Sequence, residues 1–194
     1  MKAKGRGQSY LLLLEVVEVL SRRNIPYAVI GAFAVSFYGY LRASLDADLV
    51  ISSTVGDGAL KDLTDAFVAA GLQVEHRRGD AEDPIRNVIQ VTDAYANQVD
   101  ILQGIGRMDE KAFERVWITS FENQPLAMIS PEDLLAMKLY AGSPKDLADV
   151  KALLRPLKDR LDLSLLGRLV RQFGNPAHKR FLSLFRAGRE GWSD

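Results

Sequence analysis

Apolar residues recur at helical spacing between Ser9 and Arg23. Leu12, Leu13, Val16, Val17 and Leu20 form one face, which predicts an amphipathic helix capped by Ser9 and ended by Asn24 and Pro26. A short apolar run, Tyr27 to Ile30, stops at Gly31. Ala32 to Tyr40 reads as one or two helical turns broken near Gly39, and Asp46-Ala47-Asp48-Leu49-Val50-Ile51 reads as a second strand. Gly56-Asp57-Gly58 predicts a turn. A helix follows over Ala59 to Ala70, closed by Gly71, and then a strand over Leu72 to His76.

The polar stretch Arg77 to Pro84 predicts a loop. Ile85 to Val91 and Ala96 to Gln103 predict a hairpin, Gly106 to Val116 holds a short helix, and Trp117 to Phe121 and Leu126 to Ile129 pair as strands. Beyond these the chain is helical. Ser130-Pro131-Glu132-Asp133 is a helix start, with a capping Ser, Pro at the first position and acids in the first turn, and that helix runs to Tyr140 or Ala141 before Gly142. Ser143-Pro144-Lys145-Asp146 repeats this chemistry for a helix through Leu154, and helices over Ser164 to Phe173 and Pro176 to Arg186 follow.

Composition narrows the function classes. The 194 residues are 47% apolar, enough for a substantial core, and 25 Lys and Arg balance 25 Asp and Glu, so net charge announces no nucleic-acid or membrane partner. With no cysteine there is no disulfide or thiolate chemistry, and two histidines make a structural zinc site improbable. Glu15 and Glu18 interrupt the early apolar run and no segment reaches membrane-spanning length, so a cytoplasmic protein is expected. The one local charge bias is the tail, where Arg168, Arg171, Lys179, Arg180, Arg186 and Arg189 form either a solvated face or a phosphate-tracking surface for RNA.

The candidate chemistry lies in the strands. Alternation sends Asp46 and Asp48 to one face with Cβ atoms roughly 7 Å apart. Two carboxylates beside a buried apolar run are costly without a cation. Asp100, inside Gln98-Val99-Asp100-Ile101-Leu102, repeats the pattern on another strand. Each further candidate has an ordinary alternative: Arg42 as a salt-bridge partner of Asp46 or Asp48, Lys138 as a snorkelling surface side chain, Asp146 as a helix-start acid, Asp149 as a surface acid, and Phe33, Phe37 and Tyr38 as core.

The ordered set Gly31-Ala32-Phe33-Ala34, Arg42-Ala43-Ser44-Leu45-Asp46-Ala47-Asp48 and the later strand acid Asp100 resembles the nucleotidyltransferase superfamily of the polymerase-β type. Lys138-Leu139-Tyr140-Ala141 followed by Lys145-Asp146-Leu147-Ala148-Asp149 makes it similar, more narrowly, to the AbiEii-type toxin-antitoxin nucleotidyltransferases. Three positions depart from that pattern: Ala32 for a second Gly or Ser, Ser44 for Thr, and Ser143 where relatives often have Arg.

The resemblance implies an α+β nucleotidyltransferase fold, a small mixed sheet with packed helices, with a core over 1–129 and a C-terminal helical region over 130–194. It implies two Mg2+ ions about 3.5–4 Å apart on Asp46, Asp48 and Asp100. Gly31, Ala32, Arg42, Ser44, Lys138, Lys145, Asp146 and Asp149 would bind the NTP. The implied activity is transfer of a nucleoside monophosphate to an acceptor hydroxyl, on RNA, particularly a tRNA end, for a toxin-like enzyme with an antitoxin partner protein. Two alternatives stand beside it: an antibiotic-type enzyme with a small-molecule acceptor, and a non-catalytic member that binds nucleotide or a partner.

Overall fold

In the computed structural model, which describes residues 2–80 and 82–190, with side chains through Phe185, fifteen elements follow one another. Helix α1 (Ser9–Arg22) leads to β1 (Tyr27–Val29), α2 (Gly31–Phe37), β2 (Asp46–Ile51) and α3 (Asp57–Ala69). Then come β3 (Gln73–Arg78), β4 (Ile85–Thr92), β5 (Gln98–Ile105), a 3-10 turn at Glu110–Glu114, β6 (Trp117–Phe121) and β7 (Gln124–Met128). Helices α4 (Pro131–Ala141), α5 (Pro144–Leu157), α6 (Leu163–Phe173) and α7 (Asn175–Glu190) follow.

The strands form one mixed sheet in the order β3-β4-β5-β2-β1-β7-β6. β2 runs parallel to β5 and antiparallel to β1. Alternation along β2 buries Ala47 and Leu49 fully while Asp46 and Asp48 stay half-buried on the opposite face. The buried face packs on α1, whose Leu12, Leu13, Val16, Val17 and Leu20 are enclosed, and on Leu60, Leu63 and Phe67 of α3. Helix α4 is enclosed on nearly every side, with nine of its residues buried, including Glu132, Asp133 and Lys138. It sits among α5, α6 and α7.

Four local outcomes differ from the sequence expectations. Ser9 does not cap α1: its hydroxyl donates to the Leu45 carbonyl and accepts the Gln98 amide N–H. One side chain thereby pins the leading ends of both acid-bearing strands. The charged residues Arg77 and Arg78 belong to β3, not to a loop, because an edge strand pairs its backbone with β4 while its side chains face solvent. Helix α3 starts at Asp57, inside the expected turn, with an acid in its first turn where the helix dipole favours one. Helix α5 continues through Pro156 to Leu157 rather than ending at Leu154. Arg186 and Arg189 of the basic tail carry side chains outside the described residues.

Candidate active site

The register of β2 on β5 sets Asp48 directly beside Asp100 and Asp46 beside Gln98. One carboxylate oxygen from each of Asp46, Asp48 and Asp100 lies within 4.8 Å of the others, and all three residues are half-buried. The Ser44 hydroxyl donates to Asp46. The Gln98 side-chain amide donates to both oxygens of Asp100, at 3.0 and 3.2 Å, and Gln90 donates to one of them at 3.3 Å. Asp100 is thus held by two glutamines from its own and the adjoining strand.

Gly31, in the left-handed region at φ +63°, packs its α-carbon against the Asp48 carboxylate. Burial, reinforced by the neighbouring charges of Asp46 and Asp100, pushes the Asp48 carboxyl up from 3.8 to about 6, against the opposing pull of Arg42 and Lys138. Excess negative charge concentrated on hard oxygen donors is what a divalent cation such as Mg2+ relieves, so the three acids fit that ion.

Asp46 and Asp48 line a cleft of about 390 Å³ together with Gly31, Arg42 and Ser44; α4 and α5 close it with Lys138, Lys145 and Asp146. Three sequence candidates are not part of its lining: Asp100 stands beside Asp48 on the neighbouring strand. Ala32 is buried outside the cleft, and Asp149 is buried behind it at 2% exposure. One oxygen of Asp149 accepts both Arg42, at 2.7 Å, and Lys138, at 2.6 Å.

Arg42 therefore pairs with Asp149, a residue of α5, and not with Asp46 or Asp48 as its alternative reading had it. Lys138 also reaches Asp146 at 3.2 Å, so it is a buried cation and not a snorkelling one. Asp146 does have its helix-start role: its N–H donates to Ser143, whose hydroxyl donates back to its carboxylate at 2.6 Å. Lys145 lines the cleft without an ion pair among the described residues.

The loop between α2 and β2 is anchored on α5 at two points. Arg42 reaches Asp149, and two turns further along Gly39, at φ +105°, packs against Pro156, where a Cβ would lie 3.2 Å from the proline ring. In the tail, Arg180 donates to the Leu139 and Tyr140 carbonyls at 2.8 and 3.0 Å and so closes the C-terminal end of α4. Arg168, Arg171 and Lys179 stay exposed.

Sequence reasoning missed the remaining wall of the cleft, formed by Pro84, Ile85, Leu102, Ile105, Met137 and Tyr140. It also missed Gln90 and Gln98. The glutamines had one legible signal, their even spacing from Asp100 along β5 and opposite it on β4.

No family model and no curated protein matches the sequence. Solved structures do. The chain is similar to ANT(2'')-Ia in complex with adenylyl-2''-tobramycin, at 14% identity, TM-score 0.56, covering 86% of this chain and 96% of that one. A solution structure of the same antibiotic-resistance factor gives 14% identity and TM-score 0.57 over 94% of this chain and 97% of that one. A Thermotoga maritima protein described as a nucleotidyltransferase matches at 12% identity and TM-score 0.54, over 80% of this chain and 96% of that one. The class is therefore defined at the level of architecture: this chain has the α+β nucleotidyltransferase fold. No helix among the described residues is long and apolar enough to cross a membrane.

Proposed function

We propose that the protein is an Mg2+-dependent nucleotidyltransferase that moves a nucleoside monophosphate from an NTP to an acceptor hydroxyl. The observation that carries this reading is the convergence of Asp46, Asp48 and Asp100 at the edge of a cleft whose opposite wall bears Lys138 and Lys145. Asp46 and Asp48 would hold the metal where the cleft meets the sheet, with Asp100 completing the set. When bound, Mg2+ supplies neutralisation of charge on the reacting phosphoryl group and on the leaving pyrophosphate.

The residues divide the remaining work. In the transfer, a bond forms between the acceptor oxygen and the α-phosphorus while the bond from that phosphorus to pyrophosphate breaks. Asp100 either helps to hold the metal or accepts the hydroxyl proton; its two glutamine donors fix the carboxylate for both roles. Lys145, which pairs with no acid among the described residues, offers its cation to the triphosphate. Arg42 and Lys138 are balanced by Asp146 and Asp149, so they supply directed hydrogen bonds more than net charge.

For the acceptor we favour an RNA end, as in a toxin-like enzyme with an antitoxin partner, and exposed Arg168, Arg171 and Lys179 support it. Arg180 no longer contributes to that surface, since it is engaged at α4. The second reading is a small hydroxylated acceptor, favoured by the similarity over 94% of this chain and 97% of ANT(2'')-Ia, an antibiotic-resistance factor. Incubation with each α-labelled NTP, Mg2+, total RNA and a panel of aminoglycosides decides between them. Label in RNA, absent from the Asp46→Ala, Asp48→Ala double variant, supports the first reading. Label in a small molecule supports the second, and no label anywhere refutes catalysis.

A further inference from the structure

The cleft has two chemically opposite halves. Asp46, Asp48, Arg42, Ser44, Lys138 and Lys145 supply its charged lining; Pro84, Ile85, Leu102, Ile105, Met137 and Tyr140 supply an apolar lining, which β5 reaches beyond Asp100 through Leu102 to Ile105, the partner of Ile85 on β4. At the apolar end the backbone polar groups already have partners. The Pro84 carbonyl accepts the Gly106 N–H at 2.7 Å, the Ile85 N–H donates to Asp83 at 2.9 Å, and Leu102 lies in the ladder between β2 and β4. The Tyr140 hydroxyl is the only side-chain hydrogen-bonding group among those six residues.

Tyr140 is also held in place. Its ring stacks on Phe173, with centroids 4.8 Å apart and planes 25° from parallel, and Arg180 fixes its backbone carbonyl. A rigid aromatic ring at the apolar end of a cleft, with acids and cations at the other end, matches the two ends of a nucleotide: a flat base and a charged triphosphate.

We propose that Tyr140, backed by Phe173, is the surface on which the nucleobase of the donor stacks, and that the cleft therefore accepts NTPs with little discrimination among the four bases. This rests on the reading of the acidic end as the triphosphate and metal site. Every base has a π-face, so stacking is tolerant of sequence. An apolar pocket separates similar ligands by only about 10–200-fold, whereas one built to hydrogen-bond its ligand rejects an analogue by about 10⁴–10⁵-fold. Among the six described residues at this end, the Tyr140 hydroxyl is the one side-chain group that could hydrogen-bond a base, too few for the second kind of selection.

The test is equilibrium binding, with Mg2+, of four non-hydrolysable NTP analogues and of inorganic tripolyphosphate. The parent protein is compared with Tyr140→Phe and Tyr140→Ala. The expected result is four Kd values within about tenfold of one another. Tyr140→Phe leaves them within about twofold, and Tyr140→Ala weakens all four by about 5–150-fold while tripolyphosphate binding is unchanged. A preference of more than about tenfold for one base overturns the inference and leaves the transferase reading intact. Equal weakening of tripolyphosphate and NTPs by Tyr140→Ala overturns it as well, since Tyr140 would then only support the fold, and so does no weakening at all. A parent protein that binds neither NTPs nor tripolyphosphate removes the transferase reading and this inference together.

Discussion

A Cβ built on Gly31 would lie 1.9 Å from Oδ2 of Asp48, so the absence of a side chain at Gly31 is what makes room for that carboxylate. The close approach and the left-handed φ of +63° act together at this position. Gly31→Ala is expected to displace Asp48, lower stability by at least about 1 kcal/mol from backbone strain alone, and weaken Mn2+ binding tenfold or more. Thermal unfolding and titration with Mn2+ as an Mg2+ substitute measure both. Unchanged Mn2+ affinity would show that the contact has no bearing on the metal.

The raised Asp48 carboxyl predicts a pH-dependent contribution to the stability of the metal-free protein. Between 3.8 and about 6 the folded chain keeps a proton on Asp48 that the unfolded chain has released. The contribution of Asp48 to stability is therefore fully present below this window and is lost as pH rises through it, by roughly 2–3 kcal/mol in all. Above pH about 7, Asp48→Asn should raise the melting temperature of the metal-free protein by roughly 4–12 °C while abolishing its metal binding. Saturating Mg2+ should flatten the parent's profile. A metal-free Asp48→Asn variant less stable than the parent at that pH contradicts the assignment.

Asp149 ties together a loop before β2 and a lysine of α4. Removing it leaves Arg42 without its partner and Lys138 with Asp146 alone, so Asp149→Ala is expected to cost roughly 3–5 kcal/mol in urea unfolding. A double-mutant cycle with Arg42→Ala should return a coupling of roughly 1–3 kcal/mol. Strict additivity would mean that the two residues do not stabilise one another.

Gln98 and Gln90 predict a separable effect on Asp100. Gln98→Leu should lower the transfer rate about tenfold with little change in the KM for NTP, because an ill-placed carboxylate affects the reacting geometry more than the donor's binding. Gln98→Glu places a second negative charge against Asp100 and should be worse. Single-turnover kinetics at saturating NTP isolate this step, and wild-type rates from both variants would exclude the role.

These residues also show where sequence reasoning reaches and where it stops. Two-residue alternation sufficed to put Asp46 and Asp48 on one face, since it is a property of a single strand. Setting Asp48 beside Asp100 required the register of β2 on β5, which no local pattern encodes. Gly31 was legible as the end of the first apolar run, but the reason that position must be glycine is Asp48, on another strand. Asp149 read as a surface acid because its own helix offers no reason for burial; the reason is Arg42, from the loop before β2. Tyr140 escaped notice for the same cause: its stacking partner Phe173 lies on α6, and α4, buried almost all round, has no polar face from which its orientation could be read.

The double anchoring of the α2–β2 loop on α5 also bears on how the cleft is assembled during synthesis. A nascent chain acquires all three carboxylates well before Asp149 and Pro156 emerge from the ribosome. Until they do, Arg42 and Lys138 lack the buried acid they share and Gly39 lacks the proline it packs on, so the loop that leads into the acids is held only once α5 has been made. A product cut short before α5 would carry the three carboxylates without Lys145 and without the Asp149 contact that holds Arg42 in place.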